Sequence, residues 1–377
     1  MVFNDTYRKS KSELTLKNKV SIKGAFLPNV GGISIHISRL AERLANENQL
    51  ECVYNTSVTS KNSEVRFKVK NSAYPFLRYG IFQSILWFFI HGIKDRARII
   101  HMHDNPIWEL PTIIMLLILK KKLVYTIHDQ MMLGDVNYYP KLLSTLFKKL
   151  INNKNIRWIA VNHTIKAQIE NISLKCINIP VIPAYIPSIS DDNPLNPEIE
   201  NFIKSKSKIV SIYANYLRKL NNKDLYGIDL ALKAIAKAKK HISDIGLVIS
   251  IPNAPLINSD QVKSYNQIIH DLKLSDNVLM YFKPVNNPIS LWRRCDIVLR
   301  PTLTDGDSLV IREALSQGTF VIASDVVKRP DEVILFKSEN IDELSTKIIE
   351  TLFKNRSNSF KTDTDNYLLI KEIYASI

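Results

Sequence analysis

Short apolar strands alternate with longer amphipathic helices along most of the sequence, and this alternation constrains the fold more than any other feature. In the first half, the pattern predicts strands at 20–26, 97–101, 122–126 and 158–162, with helices at 31–46 and about 164–170. In the second half, it predicts strands at 208–213, 246–251, 277–281, 297–300 and 319–324, with helices at 227–239, 309–316 and 341–353. Such alternation is typical of parallel βαβ units. We therefore expect an α/β fold with two Rossmann-like, doubly wound domains.

A proline-rich segment separates the two series. Five prolines lie between residues 180 and 197, followed by polar sequence to Glu200, and this composition is typical of a linker between domains. We expect an N-terminal domain over 1–185, a C-terminal domain over 186–355, and a segment 356–377 that packs back on the first domain. Two parallel sheets that face each other across a cleft would bind a ligand beyond the carboxyl ends of their strands.

The composition is that of an ordinary globular protein, with 45% hydrophobic and 23% charged residues. Neither a signal peptide nor an uninterrupted apolar run of membrane-spanning length is apparent. Polar residues interrupt the apolar stretch at 79–93, and the stretch at 111–120 is more typical of a buried helix. Three widely spaced cysteines fit buried, reduced thiols. These features predict a cytoplasmic protein.

The formal net charge of +15 favours anionic partners. No interleaved basic and aromatic pattern typical of nucleic-acid binding is present, so we expect no nucleic-acid partner. The stretch 141–151 has leucines at helical spacing beside Lys148 and Lys149. It predicts either a surface helix with a solvated basic face or a helix that contacts an anionic membrane, at the inner face of the cell membrane.

The segment from Arg300 to Asp325 is where the chemistry is expected. A strand ends at Arg300, and a polar turn through Gly306 leads into a helix that begins near Leu309. Asp307 or Ser308 is well placed to cap that helix. Free amides at a helix N-terminus, preceded by a glycine turn, form an anion site.

Two carboxylates accompany this anion site. Asp305 lies in the turn and Glu313 lies eight residues later, in the second turn of the predicted helix. Both carboxylates are placed to converge on the mouth of one site. The alternative is a capped surface helix whose Arg312 and Glu313 are simply solvated.

This segment resembles the signature of glycosyltransferase family 4, retaining enzymes with the GT-B fold. In that signature, two acidic residues separated by seven positions precede Ala-Leu-x-x-Gly; here they are Asp305 and Glu313, followed by Ala314, Leu315 and Gly318. Asp305 stands where the family usually has Glu. The longer string RPTxxDGDSxxxREA resembles a subgroup associated with bacterial surface polysaccharide synthesis (capsule or O-antigen).

The resemblance implies a nucleotide diphosphate sugar as the donor. It places Glu313 at the nucleotide ribose and Asp305 at the hydroxyls of the donor sugar. The turn residues Gly306 and Asp307 would belong to the same donor site, in which the amides near Ser308 and Leu309 would meet the diphosphate.

A second match is the glycine pair Gly31–Gly32, which precedes the first predicted helix. It does not form the GxGxxG dinucleotide fingerprint, which argues against NAD. A glycine pair permits close backbone approach to a ligand, and the resemblance implies that it lines the cleft opposite the diphosphate. His36, in the helix that follows, is interpreted as a residue of the helix face rather than a catalyst.

Histidines follow two of the predicted strands. His128 ends the strand in VYTIHD and is either a structural histidine or a residue beside the transferred sugar. The family often has Thr-x-His at this place, so the resemblance implies the second role. His101, His103 and Asp104 form an HxHD sequence that could suggest a metal, but they do not supply a closed ligand set. Because GT-B enzymes generally work without metal, we expect neither metal nor cofactor.

A basic clamp for the diphosphate is expected after the first strand of the second domain. The candidates are Arg218, Lys219 and Lys223, of which Arg218 is nearest the strand end. All three could instead be solvated loop charges. The Lys-Gly pair usual in the family is replaced here by Tyr226-Gly227.

Together, these features predict a retaining glycosyltransferase of hexosyl or N-acetylhexosaminyl type. It would act on a saccharide or lipid-linked acceptor in surface polysaccharide synthesis. Three alternatives remain: an inactive GT-B partner subunit, a sugar-nucleotide epimerase or hydrolase of the same fold, and a membrane-adhering structural protein.

Overall fold

The computed structural model describes residues 16–26, 31–57, 67–72, 80–133, 140–175, 177–188, 194–253, 259–355 and 365–377. The chain divides into two compact units. The first unit comprises Met1–Ile189 with Thr364–Ile377, and the second comprises Ser190–Asp363. The boundary inferred from the sequence, after residue 185, is four residues before this division.

The first unit contains a six-stranded parallel sheet in the order β3-β2-β1-β4-β5-β6. Its strands are β1 Val20–Gly24, β2 Leu50–Asn55, β3 Val69–Asn71, β4 Ile99–Met102, β5 Lys122–Ile127 and β6 Ile156–Ala160. Its helices are α1 Gly32–Asn46, α2 Gly80–Trp87 with a π-helical turn at Phe88–Gly92, α3 Leu110–Ile118, a 3-10 turn at Gln130–Met132, α4 Lys141–Ile151, α5 His163–Ile172 and α12 Asn366–Ala375.

The second unit contains a six-stranded parallel sheet in the order β11-β10-β7-β12-β13-β14. Its strands are β7 Lys208–Tyr213, β10 Ile245–Ser250, β11 Val278–Tyr281, β12 Ile297–Arg300, β13 Phe320–Ser324 and β14 Ile334–Phe336, with an antiparallel hairpin of β8 Lys219–Leu220 and β9 Lys223–Asp224. Its helices are α6 Pro197–Lys204, α7 Ile228–Ala238, α8 Asp260–Asp271, α9 Pro288–Arg294, α10 Leu309–Ser316 and α11 Ile341–Leu352.

The central strands are buried and largely apolar, as expected for parallel sheets with helices on both faces. Every residue of β1 and of β10 is buried. In both sheets the strand order reverses at the first strand of the unit, between β1 and β4 and between β7 and β12. Ligands bind at such switch points, beyond the carboxyl ends of the strands. The two predicted doubly wound α/β domains are thus confirmed.

One segment differs from its sequence-based interpretation. The polar part of the predicted linker ends at residue 196, because α6 begins at Pro197, a residue favoured in the first turn of a helix. The apolar stretch at 79–93 forms α2 and the π-helical turn over its described residues. Within the described parts of the chain, no helix is long and apolar enough to cross a bilayer.

The C-terminal helix α12 packs into the core of the first unit. Tyr367, Ile370 and Tyr374 are buried there. The Asn366 side chain donates a hydrogen bond to the carbonyl of Tyr185 at 2.8 Å. Lys371 forms a 2.7 Å ion pair with Glu47 at the end of α1. These contacts, across more than 180 residues of sequence, make α12 part of the first unit.

Candidate functional site

The turn between β12 and α10 forms the candidate site of the second unit. Ser308 is the N-cap residue of α10, as predicted, but its hydroxyl makes no capping hydrogen bond. Ser308 is only 8% exposed, and its Oγ has no hydrogen-bond partner. Asp307 instead accepts two hydrogen bonds from Arg312 Nε, at 2.7 and 2.9 Å. The helix therefore begins with a buried polar atom beside first-turn amides that have no partner within the helix.

Asp305 is clamped by two guanidinium groups. Its carboxylate accepts hydrogen bonds from Arg300 Nε at 2.9 Å and Nη2 at 3.0 Å, and from Arg329 Nη1 at 2.8 Å. The amide of Gly306 donates to Asp305 Oδ1 at 3.1 Å. Burial alone would raise the pKa of this carboxyl, but Arg300 and Arg329 hold the pKa below its ordinary value. Asp305 is therefore ionised, and it orders the turn that carries Gly306.

Arg329, in the loop after β13, is a site residue that sequence analysis missed. Its side chain is almost fully buried, and it also donates to the Ser324 carbonyl and to Thr302 Oγ1, both at 3.4 Å. It lies 24 residues from Asp305, so no local motif links the two. The sequence signal that could have indicated Arg329 is its position: it is a basic residue in the loop that follows β13, the strand next to β12.

Glu313 is held in the interior, one turn into α10. It is 4% exposed, and its Oε2 accepts a 3.1 Å hydrogen bond from the indole Nε1 of Trp292. The Trp292 ring packs edge-to-face on Tyr213, at the carboxyl end of β7. Burial and the Glu313 carboxylate raise the pKa of Tyr213 well above its ordinary value. This environment excludes the solvated-charge interpretation of Glu313.

The expected basic clamp lies on and beside the β8–β9 hairpin. Arg218 is exposed, and Lys223 forms an exposed 2.6 Å ion pair with Glu339. Arg300, the last residue of β12, lies instead at the start of the β12–α10 turn. The guanidinium of Arg300 also stacks over the ring of Tyr226, 5.2 Å from its centroid.

Gly227 explains how Tyr226 comes to lie beside this turn. Gly227 has φ +66°, and an added Cβ would lie 2.3 Å from the carbonyl oxygen of Pro301. Only glycine adopts this conformation at this close approach without strain. Asp224 then caps α7 by accepting hydrogen bonds from the amides of Tyr226 and Ile228.

In the first unit, His128 belongs to a cluster of buried histidines. His128 follows β5, and its Nε2 lies in a 2.9 Å hydrogen bond with Nδ1 of His103, which follows β4. His36 of α1 packs against both rings, and its Nδ1 is bonded to the carbonyl of Ala184 at 2.6 Å. His101 is bonded to Thr126 at 2.8 Å and to Tyr374 of α12 at 2.6 Å.

Burial keeps these imidazoles neutral. It lowers the pKa of His36 to about 4 and lowers the pKa values of His101, His103 and His128 well below the ordinary value. His36, predicted as a residue of the helix face, is fully enclosed in the cluster. A neutral imidazole carries both a donor and an acceptor, so the cluster suits hydrogen bonding to uncharged hydroxyl groups.

Three of these residues also have the spacing to hold a cation. One ring nitrogen from each of His36, His103 and His128 lies within 4.8 Å of the others. The Nε2 atoms of His36 and His103 have no hydrogen-bond partner. The HxHD sequence thus contributes His103 to this group, whereas Asp104 contacts Lys23 instead.

A buried ion network lies beside the histidines. Lys23 of β1 donates hydrogen bonds to Asp104 at 2.8 Å and to Glu109 at 2.5 Å. Ser84 donates to the second oxygen of Glu109 at 3.0 Å. This network was missed because Lys23 lies within a short, fully buried strand, and its partners are more than 80 residues away.

The glycine pair lies at the start of α1. Gly31 is the N-cap residue, and Ser34 Oγ accepts from its amide at 2.8 Å while donating to its carbonyl at 2.9 Å. The preceding part of the motif, 27–30, lies outside the described residues. Gly24, at the end of β1, lies so close to His103 that an added Cβ would be 2.9 Å from the His103 Cβ.

Two family models match the sequence, one to each unit. The model described as Glycosyltransferase Family 4 matches residues 30–187, and the model described as Glycosyl transferases group 1 matches residues 200–363. A search of curated protein sequences found no match.

Many solved structures share the fold. A glycosyltransferase from Rickettsia africae ESF-5 has 16% identity and a TM-score of 0.63, with 96% of this chain and 93% of that chain covered. Anabaena Alr3699/HepE in complex with UDP has 15% identity and a TM-score of 0.63, covering 94% and 95%. WaaG, a glycosyltransferase involved in lipopolysaccharide biosynthesis, has 13% identity and a TM-score of 0.62, covering 95% of each chain. At these identities, the likeness concerns the two-domain fold alone.

Proposed function

We propose, from the premise that this chain is a glycosyltransferase with the GT-B fold, that it transfers a sugar from a nucleotide diphosphate sugar to an acceptor hydroxyl. One observation carries the proposal. A buried serine hydroxyl without a partner lies at the N-terminus of α10, and Glu313 is buried one turn further along. A phosphate oxygen would satisfy the hydroxyl and the first-turn amides together, and a carboxylate would bind a ribose hydroxyl pair.

Donor binding is assigned to the second unit. The Ser308 hydroxyl and the amides at Ser308 and Leu309 would bind the diphosphate. Glu313, fixed by the indole of Trp292, would accept hydrogen bonds from the ribose. The Anabaena relative, described in complex with UDP, supports a nucleoside diphosphate as the ligand class.

The basic residue that best fits the diphosphate clamp is Arg300. Its side chain is largely buried and held between Asp305, Tyr226 and the Tyr213 carbonyl. Arg218 and Lys223 remain the candidates that the sequence suggested for the same clamp. Asp305 acts chiefly by fixing Arg300 and Arg329, because guanidinium groups already contact both of its oxygens.

The reaction breaks the bond between the anomeric carbon and the diphosphate oxygen, while the acceptor oxygen bonds to the same carbon and its proton passes to the leaving diphosphate. The transition state has oxocarbenium character, as in glycoside chemistry generally. Negative charge grows on the leaving diphosphate, so amides and a guanidinium aimed at it supply the main stabilisation. We propose retention of the anomeric configuration from the family resemblance. The steps as written do not require a metal.

The first unit would provide the acceptor side. Neutral His128, supported by His103, is placed at the carboxyl end of β5 to hydrogen-bond a sugar hydroxyl. Gly31 and Gly32 would allow close backbone approach. WaaG acts in lipopolysaccharide biosynthesis, which supports a saccharide or lipid-linked acceptor in surface polysaccharide synthesis. We assign the protein to the cytoplasm, with peripheral contact to an anionic membrane, and the transferred group to the hexose or N-acetylhexosamine class.

A thermal-shift screen of nucleoside diphosphates and their sugars tests the donor site, since a ligand that binds only the folded state raises the melting temperature. The best donor is then used in a radiolabel-transfer assay with lipid extract as the acceptor source. Glu313→Gln removes the charge while keeping the shape, and we expect at least about a tenfold loss of donor affinity, the cost of one charged hydrogen bond.

Glu332→Gln, at an exposed carboxylate of the same unit, is the matched control and should behave as wild type. Normal donor affinity in Glu313→Gln would refute the assigned role. Donor binding without transfer to any acceptor would instead identify an inactive partner subunit, and release of free sugar would identify a hydrolase.

A further inference from the structure

Three buried histidines of the first unit converge from separate elements. His36 lies on α1, His103 directly follows β4, and His128 directly follows β5. One ring nitrogen from each lies within 4.8 Å of the nitrogens of the other two. The nearest pair, His103 Nδ1 and His128 Nε2, is 2.9 Å apart. We call these three side chains the histidine triplet.

The backbone contact of His36 fixes which of its nitrogens carries the proton. Its Nδ1 lies 2.6 Å from the carbonyl oxygen of Ala184, and a carbonyl oxygen only accepts hydrogen bonds. His36 Nδ1 is therefore protonated, which leaves a lone pair on Nε2. Within the described residues, this buried Nε2 has no hydrogen-bond partner. Nε2 is thus the nitrogen of His36 that can bind a ligand.

This arrangement is typical of a histidine that binds a metal ion. In such sites one ring N–H donates to a carbonyl or a carboxylate, which orients the ring, and the other nitrogen binds the ion. His36 already has the carbonyl of Ala184. The Nε2 of His103 is also buried and has no partner in the described parts of the chain. Because unsatisfied buried polar atoms cost free energy, two of them in one cluster indicate a ligand.

The spacing of the triplet suits a tetrahedral ion. Zinc binds imidazole nitrogens at about 2.0–2.1 Å, so two nitrogens on one tetrahedral zinc ion lie about 3.4 Å apart. The distances in the triplet, from 2.9 Å for the nearest pair to at most 4.8 Å, include this value. Small rotations of the rings therefore bring three nitrogens to one ion, and a water molecule completes the coordination.

The ligand set determines which kind of ion binds. All three side chains are neutral imidazoles, because burial lowers the pKa of each. Imidazole nitrogens favour zinc, whereas magnesium and calcium prefer oxygen ligands. The neighbouring His101 does not add a fourth ligand, because its two nitrogens are bonded to Tyr374 and Thr126.

We propose that the histidine triplet binds a zinc ion through one nitrogen of each imidazole and that this ion inhibits the enzyme. The hydrogen bond between His103 and His128 is lost, and its proton moves to the other nitrogen of the same ring, so no proton is released. The inhibition rests on the proposed function, in which the supported ring of His128 meets a sugar hydroxyl. Zinc turns this ring toward the ion and takes no part in the transfer itself.

Calorimetric titration of the full chain with zinc chloride tests the site without donor or acceptor. The protein is first treated with a chelator, which is then removed. We expect one zinc ion per chain to bind at neutral pH and to raise the melting temperature, since a ligand that prefers the folded state stabilises it. Magnesium chloride at the same concentration should do neither.

Two ligand variants and one control variant identify the site. His36→Asn keeps a donor for the Ala184 carbonyl but lacks Nε2, and His128→Gln removes a second ligand. Each should weaken zinc binding at least about tenfold, because even groups that only orient a ligand contribute that much. His163→Asn, at an exposed histidine of the same unit, should bind zinc as wild type does.

Two results would overturn the zinc site. One is a wild-type chain that does not bind zinc, and the other is equal zinc affinity in wild type and in both ligand variants. If one ligand variant does not fold, as judged by circular dichroism, the other still decides between these results.

A transfer assay distinguishes inhibition by zinc from failure of the proposed function. With chelator present, His36→Asn should transfer sugar as wild type does, because His36 has no assigned role in the reaction. Zinc should abolish transfer by wild type over the concentrations at which it binds, and His36→Asn should resist it. Zinc that binds without slowing transfer would refute the inhibition. Absence of transfer in chelator would refute the proposed function and the inhibition together, while the titration still decides the zinc site.

Discussion

The buried histidines make the first unit sensitive to acid, and His36 allows the effect to be calculated. In the folded chain, burial lowers the pKa of His36 from 6.5 to about 4. The unfolded chain regains the ordinary value. Between pH 6.5 and about pH 4, His36 binds a proton in the unfolded chain but not in the folded chain. The free energy of unfolding therefore falls as the pH drops from 6.5 toward 4. His101, His103 and His128 are shifted in the same direction.

The magnitude follows from the shift. The full difference for His36 corresponds to about 3 kcal/mol, of which about 2 kcal/mol is lost between about pH 8 and about pH 5. His36→Asn removes the titrating ring while retaining a donor for the Ala184 carbonyl. The variant should be less stable than wild type at the higher pH, but it should lose about 2 kcal/mol less on acidification.

The free energy of unfolding is measured at both pH values by denaturation in guanidinium chloride. Tryptophan fluorescence monitors the unfolding, and a metal chelator is present throughout. Three of the four tryptophans lie in the first unit, so the signal reports chiefly on it. His270→Asn is the matched control, because that side chain is 84% exposed; its acid loss should equal that of wild type. If His36→Asn and wild type lost equal stability on acidification, the calculation would be wrong.

Two further substitutions probe the second unit. Asp305→Asn leaves two buried guanidinium groups without their counter-charge and should destabilise that unit by about 3–5 kcal/mol in urea unfolding; Asp331→Asn, at an exposed site, should not. Gly227→Ala forces a left-handed backbone and a clash with the Pro301 carbonyl, so the free energy of unfolding should fall by more than about 1 kcal/mol. An unchanged melting temperature in Gly227→Ala would contradict the geometry.

The central elements were predictable because burial on both sheet faces leaves an unmistakable pattern. The bounds of β7, β12 and α10 agree with the sequence-based bounds. Elements with mixed composition were missed, among them β2, which carries Glu51 and Asn55, and the two-residue strands of the β8–β9 hairpin. Their positions depend on tertiary pairing rather than on local periodicity.

The candidate site was predictable where it follows one strand–turn–helix unit. The sequence predicted a helix that begins near Leu309, is capped by Asp307 or Ser308 and contains Glu313, and α10 begins after Ser308. The partners of these groups could not be assigned, because Arg329 and Trp292 arrive from other parts of the sheet. The roles assigned to Asp305, His128 and the basic clamp stay predictions, as does the expectation that no metal serves as a cofactor.

Helix α12 has a consequence for how the chain is made. The first unit needs Tyr374 to complete the bonds of His101, yet Tyr374 is encoded 273 residues after it. The second unit is thus an insertion within the first, in terms of chain connectivity. During synthesis from the N-terminus, the second unit has all of its sequence before the first does. The histidine cluster can therefore close only after the whole second unit has been synthesised.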